Sequence, residues 1–311
     1  RDAEALLMQA VSEETSLSAT AAWALAKIKP DTPSLVDDAV ERMRAQCQSE
    51  SVFERAAAAS ALSDLSIFLE VQDRKSLGVH LQGMLLDDSE QVQEAAAAAI
   101  VRLGGDGVPA VSLGLKNPEM RFYALGITSA IGKPAAKLIP SIIELLDSED
   151  NELVHEAIFA LAAIGTPSSV ASEKILAILN ESVRSKDEET RLYYAATYCL
   201  GRIGSLAGQG VLPRLKELSG SSDLMQATVA IWAVLQIAPN DKEQALKAIP
   251  LLMRALESDN QTVRLEATIA LGDLGSLAQD AVPAIELVSE DDPIRTIRQA
   301  AKESLGRIRA E

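Results

Sequence analysis

Asp259-Asn260-Gln261-Thr262-Val263-Arg264-Leu265-Glu266-Ala267-Thr268-Ile269-Ala270-Leu271-Gly272-Asp273-Leu274-Gly275 is the stretch that decides the fold. Ala267, Ala270, Leu271 and Leu274 stand at i, i+3, i+4 and i+7, which is one apolar stripe along an α-helix. Asp259 and Asn260 lie just ahead of the stripe, where a short polar side chain caps free N–H groups and suits the positive end of the helix dipole. Gly275 ends the helix, because glycine alone enters a left-handed backbone cheaply.

The same arrangement returns along the whole chain. Counting from stops at Lys29, Ser66, Gly104, Gly132, Gly165, Gly204, Ala238, Gly275 and Arg309, the residue eight before is always alanine: Ala21, Ala58, Ala96, Ala124, Ala157, Ala196, Ala230, Ala267 and Ala301. The residue one before is always Ile or Leu, and the stops are 28 to 39 residues apart. Self-similarity at that period is the mark of a solenoid. Small residues in the middle of the stripe let a partner helix approach closely. Asp88 and Asp150 open two further copies in the way Asp259 opens this one.

Between each stop and the next start lies a second amphipathic stretch, as in 135–147, 172–186, 206–218, 241–256 and 277–288. Most contain an apolar-Pro step: Val108-Pro109, Ile139-Pro140, Leu212-Pro213, Ile249-Pro250 and Val282-Pro283. Proline inside a helix removes a hydrogen bond, so each first helix is expected to be short or kinked. Each unit is then a helical hairpin, and no period-two strand pattern interrupts the series. The reading is an all-α chain, a single solenoid over 1–311 of about nine helical hairpins ending near 29, 66, 104, 132, 165, 204, 238, 275 and 309.

This pattern resembles the HEAT-repeat family, most closely its short bacterial form in phycobilin-lyase-like proteins. The carrying residues are Asp259, Val263, Arg264, Ala267, Leu271, Leu274 and Gly275, echoed in 150–165 and 88–104. The resemblance implies a right-handed α-α superhelix, with the Pro-bearing helices convex and the Gly-stopped helices lining the concave side. It specifies fold and is almost silent on function.

The 311 residues carry 45 acidic and 29 basic side chains, a net charge of −16, with 48% hydrophobic and only 3% aromatic residues. Phosphate-backbone binding needs clustered Lys and Arg, so the composition argues against nucleic acid. The acidity either keeps the chain soluble or steers a basic partner. No apolar run reaches the 18 or so residues of a membrane span. Cys47 and Cys199 fit no metal spacing and no disulfide framework, which leaves the compartment open between cytosol, the default, and periplasm. The Arg1-Asp2-Ala3 start has neither an initiator Met nor a signal peptide, and reads as a mature or trimmed piece of something longer.

Catalytic machinery is hard to find. His155-Glu156 resembles one of the iron-binding pairs of HEAT-repeat deoxyhypusine hydroxylases, but that family needs several pairs and His80 stands alone. No triad, closed metal shell or phosphate loop is visible, so no catalytic residue, metal or cofactor is expected. Positions ten and six before the stop point away from the alanine stripe at 100° per residue. They carry Phe122, His155 and Tyr194, and Phe159, Tyr198 and Trp232, five of the ten aromatics in the chain. On the resemblance they face the concave side as one central patch. Two readings stand: aromatic anchors of a recognition surface, or rings that fill gaps between adjacent helices.

Arg55, Arg121, Arg264 and Arg298, eleven before the stop, form another column. They are expected to pair with acidic caps of their own or the next unit rather than to form an anion ladder. Gly201, Gly272 and Gly306, three before the stop, point to close approach inside a helix. The favoured function is a non-catalytic protein- or peptide-binding scaffold with an acidic concave groove. The alternatives are a tetrapyrrole- or other small-molecule-handling subunit, as the phycobilin-lyase-like resemblance implies, and a structural segment of a larger protein.

Overall fold

A computed structural model describes residues 2–13, 17–185, 192–208 and 210–310. Lys186, the end of one expected helix, lies outside them. The contacts divide the chain into two compact units, Arg1–Ser148 and Glu149–Glu311. The first holds α1 (Asp2–Ser12), α2 (Ser18–Ile28), α3 (Pro33–Gln46), α4 (Val52–Leu65), α5 (Val71–Gln82), α6 (Glu90–Arg102), α7 (Val108–Lys116), α8 (Arg121–Ile131) and α9 (Ile139–Leu145). The second holds α10 (Asn151–Ile164), α11 (Ser172–Ser185), α12 (Leu192–Ile203), α13 (Leu212–Leu218), α14 (Leu224–Ile237), α15 (Lys242–Ala255), α16 (Gln261–Asp273), α17 (Val282–Asp291) and α18 (Arg295–Arg309). Short 3-10 turns follow many stops, and no strand occurs among the described residues.

All nine alanines eight before the stop are buried, none more than 5% exposed. The residue four before the stop is buried in all nine as well. Helices that carry this alanine stripe pack directly on the next in pairs such as α4 on α6, α12 on α14 and α16 on α18. The stripe weakens at the start of the chain: Ala24 is only half-buried and Ile28 is 56% exposed, against the expectation for that column.

The five glycine stops, Gly104, Gly132, Gly165, Gly204 and Gly275, all have positive φ. At Gly132 (φ 67, ψ −135) and Gly165 (φ 76, ψ −136) the backbone is not left-handed helical but in a region open essentially to glycine alone. Lys29 and Ala238 end their helices with φ near −125, so those stops need no glycine. Asp150 caps α10 by accepting from the N–H groups of Glu152 and Leu153, as the sequence suggests. For α16 the cap is Asn260 rather than Asp259, and α6 starts at Ser89 without a side-chain cap.

The prolines differ from the expected kink. Pro109, Pro140, Pro213 and Pro283 sit in the first turn of α7, α9, α13 and α17, where no N–H partner is lost and the fixed φ suits the helix. Only Pro250 lies within a helix, α15. The first helices are short because a 3-10 turn precedes the proline, not because the proline breaks them.

The arginine column ties adjacent repeats together. Arg55 binds Asp87 through Nε and Nη2, each at 2.7 Å, while its Nη1 donates to the Ser49 carbonyl at 3.0 Å. Arg264 repeats this with Asp292 at 2.7 Å and the Ser258 carbonyl at 2.8 Å. Arg121 and Arg298 keep only backbone carbonyls, of Leu115 in the last turn of α7 and of Asp292. Each guanidinium thus closes its own loop, and two of them also grip the loop of the next repeat. The hydrogen bond from Arg55 holds the Asp87 carboxyl below its ordinary range.

Two of the in-helix glycines are contact points. A Cβ on Gly201 would lie 2.3 Å from Cζ3 of Trp232, and one on Gly272 would lie 2.3 Å from Ser304 Oγ and 2.9 Å from its Cα. A Cβ on Gly306 would meet nothing within 4 Å. The same substitution should therefore have opposite signs. Gly201→Ala and Gly272→Ala are expected to lose about 1–3 kcal/mol to overpacking. Gly306→Ala should gain about 0.5–1 kcal/mol from reduced backbone entropy. Urea unfolding of the three variants checks this, and a stabilised Gly201→Ala would refute the contact argument.

Candidate functional site

Helix register places rings on the face of α10, α12 and α14 that points away from their buried alanines. Tyr194 and Tyr198, four apart on α12, stack at 6.2 Å with an 8° interplanar angle. Tyr198 stacks on Trp232 of α14 at 5.1 Å and 13°. Phe159 of α10 lies 5.9 Å from Tyr198 and 6.5 Å from Tyr194, and His155 meets its edge at 4.8 Å. Five of the six expected residues thus form one continuous cluster in the second unit. Phe122, the sixth, lies on α8 of the first unit and is 45% exposed.

Burial separates the five further. His155, Phe159, Tyr194 and Tyr198 are half-buried, whereas Trp232 is 6% exposed. Trp232 is the floor of the cluster, its indole wedged against the Cα of Gly201 while Tyr198 covers its other face. The other four present ring area to solvent.

A residue not singled out from the sequence completes the cluster. The Tyr194 hydroxyl donates to Glu266 Oε1 at 2.7 Å, from α12 to α16 across the intervening α14. Glu266 is only 8% exposed, and burial pushes its carboxyl above the ordinary range, although the bond from Tyr194 opposes the shift. Burial and the nearby Glu266 charge likewise raise the Tyr194 phenol. The sequence signal for Glu266 was available: an acid directly beside the buried alanine column, at Ala267.

The cluster offers stacking faces, a tyrosine hydroxyl and carboxylates at Glu156 and Glu266. The Glu156 carboxylate lies 3.2 Å from His155 Nδ1. Both cysteines are buried, and burial pushes the Cys47 thiol up to about 12, so neither is a thiolate nucleophile at neutral pH. Among the described residues no three His, Cys, Asp or Glu side chains group as a metal would need. Nor is any described helix long and apolar enough to cross a membrane.

Residues 224–306, which span α14 to α18, match the HEAT-repeat family. These residues carry HEAT repeats. No relative is found among curated proteins. One chain of the structure in which Kap95p binding induces the RanGDP switch loops to adopt the GTP-bound conformation shares this HEAT fold, with TM-score 0.61 and 14% identity. That match covers 97% of this chain and 46% of the other, so the chain spans less than half the length of that neighbour. An engineered protein is matched over 99% of this chain and 89% of its own, at 20% identity and TM-score 0.43. Kap121p is matched over 98% and 41%, at 13% identity and TM-score 0.41. The HEAT solenoid fold follows from the family match and the structure with TM-score 0.61, and the chemistry of the site must be argued from its own side chains.

Glu266 gives a direct check on that chemistry. Glu266→Gln keeps an acceptor for Tyr194 and removes a buried charge, so at pH 7 it should melt no lower than the wild type. Tyr194→Phe strands the carboxylate and should cost about 1–3 kcal/mol. Because the folded-state carboxyl is raised, the folded protein takes up its proton first as pH falls. The wild type should therefore gain on Glu266→Gln as pH falls from 7 toward the ordinary glutamate range. Thermal melts of both proteins across that range test the sign, and a gap that moves the other way would overturn the assignment.

Proposed function

We propose that this HEAT-repeat chain is a non-catalytic scaffold that holds a basic peptide or protein segment against the concave, ring-bearing face of its second unit. The observation that carries this reading is the half-exposed cluster of His155, Phe159, Tyr194 and Tyr198, with Glu156 beside it. Half-buried rings offer cation–π seats for Lys or Arg on their open faces, each worth about 0.5–1 kcal/mol, and amphipathic rings are usual centres of recognition surfaces. The net charge of −16 favours a cationic partner and repels anionic ones. The structure whose chain shares this fold is a complex in which Kap95p binds RanGDP. Solenoids are suited to such work because their stability resides between repeats and not in the groove.

The test compares the wild-type chain with a Phe159→Ala, Tyr198→Ala variant as bait, at low and high salt. Partners of this face should be lost from the variant and weakened by salt, while the variant keeps its helical circular dichroism. Retention of the same partners by both baits would sink the proposal. So would loss of helicity matching the loss of binding, since the rings would then serve packing alone.

A further inference from the structure

The first unit breaks the packing rule at one place. Within this unit α4 lies along α6 and α6 along α8, but α2 and α4 touch only sparsely and a cleft of about 440 Å³ opens between them. The exposed Ile28 and the half-buried Ala24 are signs of the same loosening. Leu17, Trp23, Met43 and Phe53 supply the apolar wall, with Glu54 and Asp64 among the polar lining. Phe53 is 73% and Leu17 65% exposed, although apolar side chains of that size normally turn inward. The volume falls within the roughly 300–1,000 Å³ range of ligand-binding clefts.

The charges around this cleft are uneven. Its lining holds two carboxylates and no Lys, Arg or His. Asp64 is already bridged by Lys27 at 3.4 Å and Arg102 at 3.3 Å. Glu54 accepts only the Ser49 hydroxyl and has no cation partner among the described residues. The indole N–H of Trp23, at the wall, is enclosed without an acceptor, while the Lys27 ammonium covers its ring at 4.6 Å. Enclosed donors without acceptors are rare in folded proteins.

We infer that the cleft between α2 and α4 is a docking site for a short segment of another protein that carries large apolar side chains flanked by Lys or Arg. The apolar side chains cover Leu17, Met43 and Phe53, and the basic residue pairs with Glu54. The site stands apart from the ring cluster of the second unit, and neither reading depends on the other.

Trp23 is itself the reporter, since the chain has only one other tryptophan, Trp232. In a Trp232→Phe background, Trp23 emission is followed while a 12-residue peptide with leucines at i, i+3, i+4 and i+7 and two arginines is added. A second peptide carries glutamates in place of the arginines. The expected result is a saturable change in emission with the arginine peptide and at least tenfold weaker binding of the glutamate peptide. Phe53→Ser should weaken the arginine peptide about tenfold, as loss of a hot-spot contact does. Glu54→Gln should weaken it by a smaller factor. Phe53 is exposed, so its variant should keep the parent's helical signal. No response of Trp23, equal affinity for both peptides, or indifference to both substitutions would overturn the inference. Sedimentation gives a further arm: a dimer of the parent that Phe53→Ser dissolves would make a second copy of the chain the occupant, and would overturn it too.

Discussion

The contact on which this molecule depends is that between two Gly-stopped helices at the alanine eight residues before the stop. A methyl group fills the space there and leaves room for nothing else, so consecutive helices can lie flank to flank. Where even a methyl is too large the chain uses glycine, as at Gly201 under the Trp232 indole and at Gly272 against Ser304. A larger side chain at any of these points would part the helices and open the core to water. The cost would be paid over a whole repeat, because packing in cores of this density does not yield locally.

That constraint also decides which side chains are free to do something else. With the alanine face committed to neighbours, the opposite face of these helices is where other side chains collect, although on α14 Trp232 packs there too. Rings accumulate on it in the second unit. The arginines eleven before the stop occupy an intermediate angle, and there they hold loops together: the guanidinium of Arg264 satisfies a loop carbonyl on one side and the buried Asp292 carboxylate on the other. A planar group with five donors suits that double task better than a lysine would.

Much of this was legible in the residues. Stops and alanines follow from helix periodicity and from backbone freedom at glycine, both local properties, and the helices end within two residues of the expected positions. The contacts that escaped were those set by three-dimensional placement. Ile28 matches its column in every chemical respect, yet it is exposed because α2 does not close on α4. The prolines look like interior helix breakers until the preceding 3-10 turns are known, and these shift the helix start up to the proline. Among the site residues, register brought His155, Phe159, Tyr194, Tyr198 and Trp232 together. It could not tell that Trp232 is sealed beneath Tyr198, nor that Glu266 reaches Tyr194 over an entire helix.

The Tyr194–Glu266 hydrogen bond has a meaning for how the second unit comes apart. In an ideal repeat array each element senses only its immediate neighbours, so the chain can fray one repeat at a time like a zip. A bond that leaps over α14 adds a next-nearest-neighbour coupling. The repeat in the middle cannot melt without also loosening the two that hold hands above it. That portion of the array then behaves as one cooperative block, with partial unfolding confined to the repeats outside it.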